Sequence, residues 1–227
     1  MAGSRISGLE ELLRTRVPNV RLGVQGRRRV APVPSGIAAL DGLLGGGWPG
    51  GDVSELVGEG PGSGSAQVLH GFLRGLARDG RFMALVDGFD SLDIDAEEPD
   101  ALARLLWVRC RSAAEALKAA DLVLRDRNLP VVVIDLKLNP VAQLRRISGS
   151  VWHRFSRLAE HHGTTVVVMT PFALVGGAAA RVSVAMARPL GSLDATVGPE
   201  DILRGLRFSL LRQEANAWEP GAAGRVA

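Results

Sequence analysis

Length, composition and charge limit what this chain can be. Its 227 residues are 46% hydrophobic and 22% charged, which suits one soluble globular domain. No apolar run approaches the roughly 20 residues that a transmembrane helix needs, and the N-terminus lacks a signal-peptide core, so we expect a cytoplasmic protein without membrane contact. The single Cys110 excludes an internal disulfide and a cysteine-built metal site.

The positive charge is carried almost wholly by arginine. The formal net charge is +3, and 27 residues are Lys or Arg; Lys118 and Lys137 are the two lysines, which leaves 25 arginines (27 − 2). Arginine binds phosphate through paired N–H donors and stays protonated at physiological pH. This balance is compatible with nucleic-acid binding, and a biased genome composition would produce it equally well.

Residues 1–32 are predicted to form a short amphipathic helix and a basic linker. Arginines fill positions 27–29 of a Gly/Pro-punctuated stretch, which is typical of a linker or arm. Ser35 then precedes the apolar-periodic residues 37–44, which predicts a helix with Ser35 as its N-cap. The apolar residues of the N-terminal helix, a candidate oligomerisation arm, are Ile6, Leu9, Leu12 and Leu13.

From residue 52 onward, apolar runs alternate with helix-like patterns. This alternation predicts an α/β fold with a mainly parallel central sheet flanked by helices. The last two apolar runs predict closing strands with an antiparallel edge, and residues 214–227 are predicted to be a disordered tail. The predicted strands are 52–57, 82–88, 105–110, 130–136, 164–170, 180–189 and 206–213, and the predicted helices are 66–79, 112–126 and 141–162.

The stretch GEGPGSGSA, residues 58–66, lies between a predicted strand and a predicted helix, the setting of a phosphate-binding loop. Such a loop binds phosphate through backbone N–H groups, while a lysine reaches the terminal phosphates and a hydroxyl holds Mg²⁺. Here Ser65 takes the lysine position and Ala66 the hydroxyl position, so we interpret the loop as vestigial. Its residues are Gly58, Glu59, Gly60, Pro61, Gly62, Ser63, Gly64, Ser65 and Ala66.

The run VVVIDL, residues 131–136, has the pattern of a Mg²⁺-binding Walker B strand with Asp135 as the carboxylate. Four apolar residues followed by an Asp are also common at the ends of buried strands. Two interpretations therefore stand side by side: Asp135 is a vestigial metal ligand, or it is a hydrogen-bond acceptor at the end of a strand.

Residues 33–65 resemble the opening of the RecA-type recombinase core. The resemblance is carried by the lead-in VPSGIAALDGLLGGGWPGG before the strand and the glycine loop, and it extends through FMALVDGFDSLD. It implies a RecA-like core domain over residues 33–213. The water-activating glutamate of that family falls on Phe89, and its polar sensor pair falls on Thr170 and Pro171. The resemblance therefore implies a protein that does not hydrolyse ATP and needs neither cofactor nor metal.

The same resemblance implies DNA contacts after the fourth and fifth core strands, where RecA has two DNA-binding loops. Arginines beside an aromatic ring would hold a single strand through phosphate charge and base stacking. In the other interpretation these arginines form a solvated helix face and the tryptophan belongs to the core. The candidate DNA-binding residues are Arg145, Arg146, Trp152, Arg154, Arg157 and Arg181.

A small, arginine-rich, RecA-like chain without ATPase residues is similar to the ImuA family of bacterial damage-inducible (SOS-response) proteins. That similarity implies a nucleoid-associated accessory factor in error-prone translesion DNA synthesis. It implies contacts with translesion polymerase subunits or RecA, salt-sensitive binding to DNA, and homo-oligomers. Two alternatives stay open: a divergent ATP-binding RecA-type ATPase, and a SulA-like inhibitor of cell division.

Overall fold

The structure is a computed structural model that describes residues 30–60, 62–186 and 199–213. Several sequence-based predictions lie outside these residues in whole or in part. They are the N-terminal arm with Ile6, Leu9, Leu12 and Leu13, the basic linker up to residue 29, the position of Pro61 in the glycine loop, residues 187–189 of the predicted strand 180–189, and the tail 214–227.

The described chain begins with a small unit, β1 (Val30–Val33), α1 (Ala38–Leu43) and β2 (Trp48–Gly50), in which the two strands pair antiparallel. A larger sheet follows, built from alternating strands and helices. Its strands are β3 (Val53–Gly58), β4 (Met83–Asp87), β5 (Leu105–Arg109), β6 (Val131–Asp135), β7 (Thr165–Thr170), β8 (Ala180–Met186) and β9 (Leu206–Gln213). Its helices are α2 (Ser65–Arg78), α3 (Pro99–Leu102), α4 (Ala113–Asp126), α5 (Val141–Leu144), α6 (Gly149–His162) and α7 (Pro199–Arg204), with a 3₁₀ turn at Ile94–Ala96.

The large sheet has the strand order β5-β4-β6-β7-β3-β8-β9. Every neighbouring pair is parallel except β8 and β9, which are antiparallel. The predictions of a mainly parallel sheet and of an antiparallel edge strand are confirmed. Since β3 lies inside the sheet and is buried throughout, the glycine loop that follows it lies at the carboxyl edge of the sheet, where parallel strands end.

Helices cover both faces of the sheet and enclose two apolar clusters. On one face, α2 packs Val68, Phe72 and Leu76 against strand residues such as Leu56. On the other face, α4 and α6 contribute small alanines together with two large rings, Trp152 and Phe155. Because the strands are buried from both sides, their Val, Leu and Ile runs are continuous in the sequence and do not alternate with polar residues.

The segment that precedes β3 docks on α2 by direct backbone contact. Gly36 has φ +77°, and a Cβ there would lie 2.6 Å from the carbonyl oxygen of Gly71. On the other side of the contact, a Cβ on Gly75 would lie 3.0 Å from Cα of Gly36. Asp41 fixes the turn, since its Oδ1 accepts the backbone N–H of Ser35 at 2.6 Å. The glycines of this segment thus allow α2 and the lead-in to approach more closely than side chains would permit.

The prediction that Ser35 caps α1 is wrong by two residues. The N-cap is Ile37, which makes no side-chain cap, and the Ser35 hydroxyl instead accepts the Ile37 N–H at 3.2 Å. The basic segment expected to be a linker also contributes structure, because its last residues form β1.

One further element differs from the sequence-based predictions. The helix expected over residues 141–162 is two helices, α5 and α6, because the Ser148 hydroxyl caps a new start by accepting the Ser150 N–H at 3.4 Å. Strand β5 is not fully buried: it lies at the edge of the sheet, and Leu106 is 48% exposed. Cys110, directly after β5, is buried, and burial raises the pKa of its thiol, as a core cysteine should behave.

Replacement of Gly36 by alanine should destabilise the fold. The new Cβ meets a backbone carbonyl and requires a left-handed conformation, so we expect the free energy of unfolding to fall by about 2 kcal/mol. Urea unfolding measures the change. Gly42→Ala is the matched control, because Gly42 lies within α1 and a Cβ there meets nothing within 4 Å. A loss equal to the control would contradict the contact described above.

Candidate functional site

The glycine loop between β3 and α2 has the left-handed backbone that its glycines permit. Gly60, Gly62 and Gly64 have φ of +74°, +73° and +90°. Helix α2 begins at Ser65 with Gly64 as its N-cap, and no side chain caps it. The first-turn N–H groups of an uncapped helix carry the positive end of its dipole, which attracts anions.

The side chains of the loop supply hydroxyl groups and no cation. Ser63 and Ser65 are 8% and 6% exposed, and the Ser63 hydroxyl donates to the Ser65 hydroxyl at 3.3 Å. Ser63 also fills the space beside Gly58, where a Cβ would lie 2.6 Å from its Oγ. Ala66, one residue into the helix, offers no oxygen. The loop therefore offers a ligand backbone N–H groups and two hydroxyls, while the exposed Glu59 adds a negative charge.

The edge of the sheet packs against the loop from the side of β9. A Cβ on Gly64 would lie 2.3 Å from Cδ2 of Leu206, which is 3% exposed, and 3.4 Å from Cε of Met186. Two strands that follow the loop in sequence thus fix its position, and the glycine at residue 64 is required by both its backbone angle and this contact.

Asp135 ends β6 on the same face of the sheet as α2. Val131 and Val133 belong to the cluster around α2, and Asp135 follows at the same two-residue alternation. The carboxylate is 3% exposed and is contacted twice by Lys137: the backbone N–H donates to Oδ1 at 3.0 Å, and the ammonium lies in direct contact with Oδ2. Burial raises the pKa of Asp135, and the Lys137 ammonium partly offsets that rise.

Asp87 ends the neighbouring strand β4 and directly opposes Asp135 in the register. It is 1% exposed and acts as a cap for the loop that follows, since its carboxylate accepts the N–H groups of Ser91 at 2.7 Å and Leu92 at 2.9 Å. The indole N–H of Trp107 adds a further bond at 3.3 Å. All these donors are neutral groups of the loop and of β5.

Phe89, at the position predicted for the lost glutamate, projects into solvent directly after this cap. The residue is 49% exposed. Its neighbour Asp90 has φ +55°. The two carboxylate oxygens of Asp90 accept hydrogen bonds from Nε and Nη2 of Arg109, each at 2.6 Å. The Arg109 guanidinium holds the pKa of Asp90 below its usual value and itself lies 4.7 Å from the ring centre of Trp107. The carboxylates of Asp87 and Asp90, before and after Phe89, therefore both hold this loop in place.

A buried ion pair joins the middle of β3 to the start of β8. Glu55 is fully buried, and its Oε2 accepts from Arg181 Nε at 2.5 Å. Its Oε1 accepts from the Thr170 hydroxyl at 2.9 Å and from the backbone N–H groups of Leu174 and Val175 at 2.7 and 3.1 Å. Glu55 thereby fixes the connection between β7 and β8 to the central strand.

The structure places the candidate DNA-binding residues in different surroundings. Trp152 is 1% exposed within the core, so its prediction as a DNA contact is wrong. Arg181 is partly exposed and forms the ion pair with Glu55. Arg154 is half exposed and contacts Asp121 at 2.9 Å. The remaining three, Arg145, Arg146 and Arg157, are exposed. Of these, Arg145 lies at the end of α5 with its guanidinium 5.8 Å from the ring centre of Phe172.

Sequence reasoning missed the buried charges. An acidic residue inside the apolar run DVSELV was the available signal for Glu55, and an arginine inside ARVSVAM was the signal for its partner. A second buried carboxylate, Glu97, contacts both His70 and Arg74 of α2, the latter at 3.4 Å. No local pattern indicates this cluster, because Glu97 lies in an acidic stretch with the composition of an exposed loop.

The sheet, the flanking helices and the glycine loop define a RecA-like α/β core. The sequence is similar to RecA proteins over about half of its length. It is 34% identical to RecA of Amycolatopsis mediterranei over 122 residues, 51% of this chain and 34% of that protein. RecA of Picosynechococcus is 29% identical over 136 residues, which are 58% of this chain and 39% of that protein. RecA of Mycobacterium tuberculosis is 33% identical over 135 residues, which are 57% of this chain and 17% of that protein.

The matched region covers only part of each relative. The chain spans less than two-fifths of the length of these curated relatives. No protein-family profile matches the chain. Among residues 30–60, 62–186 and 199–213, no helix is long and apolar enough to cross a membrane. In that same part of the chain, no three His, Cys, Asp or Glu side chains form a group that could hold a metal ion.

Truncation of Arg181 to methionine should destabilise the protein strongly. It leaves the Glu55 carboxylate buried without its cation, which costs about 3–5 kcal/mol of unfolding free energy. Chemical denaturation measures this loss. Arg157→Met, at an exposed position of α6, is the control and should change stability by less than about 0.5 kcal/mol. If Glu55→Gln combined with Arg181→Met is as unstable as the sum of the two single changes, the pair is not coupled.

Proposed function

We propose that this protein is an ATPase-deficient, RecA-like accessory factor of the bacterial DNA-damage response. It would support error-prone translesion synthesis and modulate RecA-dependent recombination through contacts with protein and DNA. The observation that carries the proposal is the pairing of a RecA-like core and lead-in with a loop that has Ser65 and Ala66 in place of lysine and hydroxyl. Such a chain would combine a RecA-like core with a loop that lacks the groups used in phosphoryl transfer.

Phosphoryl transfer depends on charged and metal-binding groups placed around the phosphate. In this chain, different residues stand at the positions where a working phosphate loop has those groups. A lysine in the loop, a hydroxyl on a metal ion and a carboxylate on the attacking water each stabilise charge in the transition state. Here the corresponding positions are occupied by Ser65, Ala66 and the exposed Phe89. A phenyl ring can neither accept a proton nor orient a water molecule.

ATP turnover is expected to be absent. The purified protein with ATP and Mg²⁺ should release phosphate no faster than buffer alone, because Ser65, Ala66 and Phe89 supply neither the cation, the metal ligand nor the general base at those positions. Equilibrium binding of labelled ATP separates this proposal from its closest alternative. The uncapped start of α2 favours a divergent ATP-binding protein, which would show saturable, Mg²⁺-dependent binding below millimolar ATP. Saturable, Mg²⁺-dependent ATP binding together with phosphate release above the buffer rate would overturn the proposal.

The DNA contact is proposed for Arg145 and Arg146, which are exposed at the end of α5 beyond the carboxyl edge of the sheet. Arg145 lies beside Phe172, a partly exposed ring in the connection between β7 and β8. Guanidinium groups near an aromatic face suit a single strand, since they combine phosphate charge with stacking. Glu55 makes this connection rigid, so the surface would be present without a nucleotide.

Changing Arg145 and Arg146 to alanine should weaken binding to single-stranded DNA of any sequence. Each phosphate neutralised on a single strand contributes about 0.7 to the salt slope of log affinity, so removal of two contacts lowers the slope by about 1.4. Fluorescence anisotropy over a range of salt concentrations measures both quantities. Arg78→Ala with Arg207→Ala removes the same charge from exposed positions elsewhere and should leave the slope unchanged. An equal slope for both double variants would refute this placement.

Partner identity is tested by capture from cells with DNA damage. We expect the tagged protein to retain translesion polymerase subunits or RecA, and the ratio between them assigns its role. Recovery of the cell-division GTPase in their place would favour the SulA-like alternative. Size-exclusion chromatography of the purified chain over a range of concentrations tests the proposed homo-oligomer.

A further inference from the structure

In a working phosphate-binding loop of this type, a magnesium ion lies near the loop hydroxyl, and a Walker B carboxylate at the position of Asp135 would help to hold it. The residues of this chain do not fit such an ion. Mg²⁺ requires oxygen ligands in near-octahedral geometry. Ala66 has no oxygen to offer, and the Asp135 carboxylate is already in contact with the Lys137 ammonium. The oxygens of the neighbouring Asp87 accept backbone and indole N–H groups.

Two buried carboxylates at the sheet edge create the need for a cation. Asp87 and Asp135 are opposite each other on adjacent strands and share a face of the sheet. They are 1% and 3% exposed, so water screens their repulsion poorly. The hydrogen bonds that Asp87 accepts come from neutral donors, whereas Asp135 is contacted by the Lys137 ammonium. In a nucleotide-binding relative of this architecture, a metal ion would supply positive charge at this edge.

We propose that Lys137 takes the place of the metal: its ammonium is a built-in cation that neutralises Asp135 and excludes divalent ions from the sheet edge. The side chain is well placed for this, since it is only 14% exposed and reaches a carboxylate two residues earlier in the chain. Its own backbone N–H holds the other oxygen of the same carboxylate at 3.0 Å. Both oxygens of Asp135 are thus held by one residue.

Hydrogen bonds around this pair fix the ammonium in position. The Leu136 N–H donates to the Met169 carbonyl at 2.9 Å, which ties the residue between Asp135 and Lys137 to β7. Asn139 donates from its side chain to the Gly88 carbonyl at 2.8 Å, which ties the end of the turn to the loop after β4. The turn that carries Lys137 is therefore attached to both neighbouring strands, and its ammonium is directed at the carboxylate by the fold.

An ordinary strand-end ion pair is the other explanation, and metal addition distinguishes the two. If the ammonium stands at a cation position, then removing it should open that position to a divalent ion. If Lys137 merely satisfies a hydrogen-bond acceptor, removing it should cost stability that no ion restores. The chain provides a matched control in Lys118, its other lysine, which is exposed on α4.

The experiment measures the thermal midpoint of the full chain in EDTA and in millimolar Mg²⁺ or Mn²⁺. We expect Lys137→Met to lower the midpoint by about 10 °C in EDTA, because it leaves a buried carboxylate without its partner. Mn²⁺ should recover part of that loss. Wild type and Lys118→Met should show neither the loss nor the response to metal. Asp135→Asn combined with Lys137→Met should be more stable in EDTA than Lys137→Met alone, and should not respond to Mn²⁺.

Three results would overturn the inference. One is a wild-type protein that is stabilised by millimolar Mg²⁺ or Mn²⁺, since the cation position would then be open. Another is a Lys137→Met variant whose midpoint equals that of Lys118→Met. The third is a Lys137→Met variant that loses stability and gains nothing from Mn²⁺, which would mark the contact as a simple ion pair. ATP hydrolysis is not a readout here, so the outcome is separate from that of the proposed function.

Discussion

Charges buried in a sheet that is covered on both faces must find partners within the protein, and this constraint organises the structure. Glu55 lies inside the central strand, where an unpaired carboxylate would be prohibitively unfavourable. Its partners are drawn from β7, from β8 and from the connection between them. A single side chain therefore orders the segment that leads from the last central strands to the edge of the sheet.

The same constraint explains the carboxyl edge of the sheet. Asp87 and Asp135 end adjacent strands with their oxygens satisfied from the loops that follow, so each carboxylate shapes the turn beyond its own strand. The loop after β4 carries Phe89, and the turn after β6 leads to Arg145 and Arg146. The surface proposed for DNA contact thus follows a turn shaped by a buried acid, while the glycine loop depends on backbone angles and on packing by Leu206.

Most of the architecture could be predicted from the sequence because apolar runs and glycine positions are local signals. The strands, the antiparallel edge and the loop before α2 follow from such patterns. Pairings between distant residues could not be predicted, since nothing near Arg181 indicates that its partner lies 126 positions away. The same limitation applied to Trp152, because helix periodicity shows which residues share a face and does not show which face is covered. The break between α5 and α6 could not be predicted, because the sequence does not show that the Ser148 hydroxyl accepts a backbone N–H and so starts a new helix.

If Lys137 takes the place of a metal as proposed, the exchange would have a consequence for regulation. A metal–nucleotide pair arrives and leaves, so a protein that depends on it can report the energy state of the cell. A counter-ion that belongs to the polypeptide has no dissociation rate, and its occupancy is the same in starved and growing cells. A protein built in this way would be controlled through its synthesis and degradation, and its action would last as long as the molecule itself.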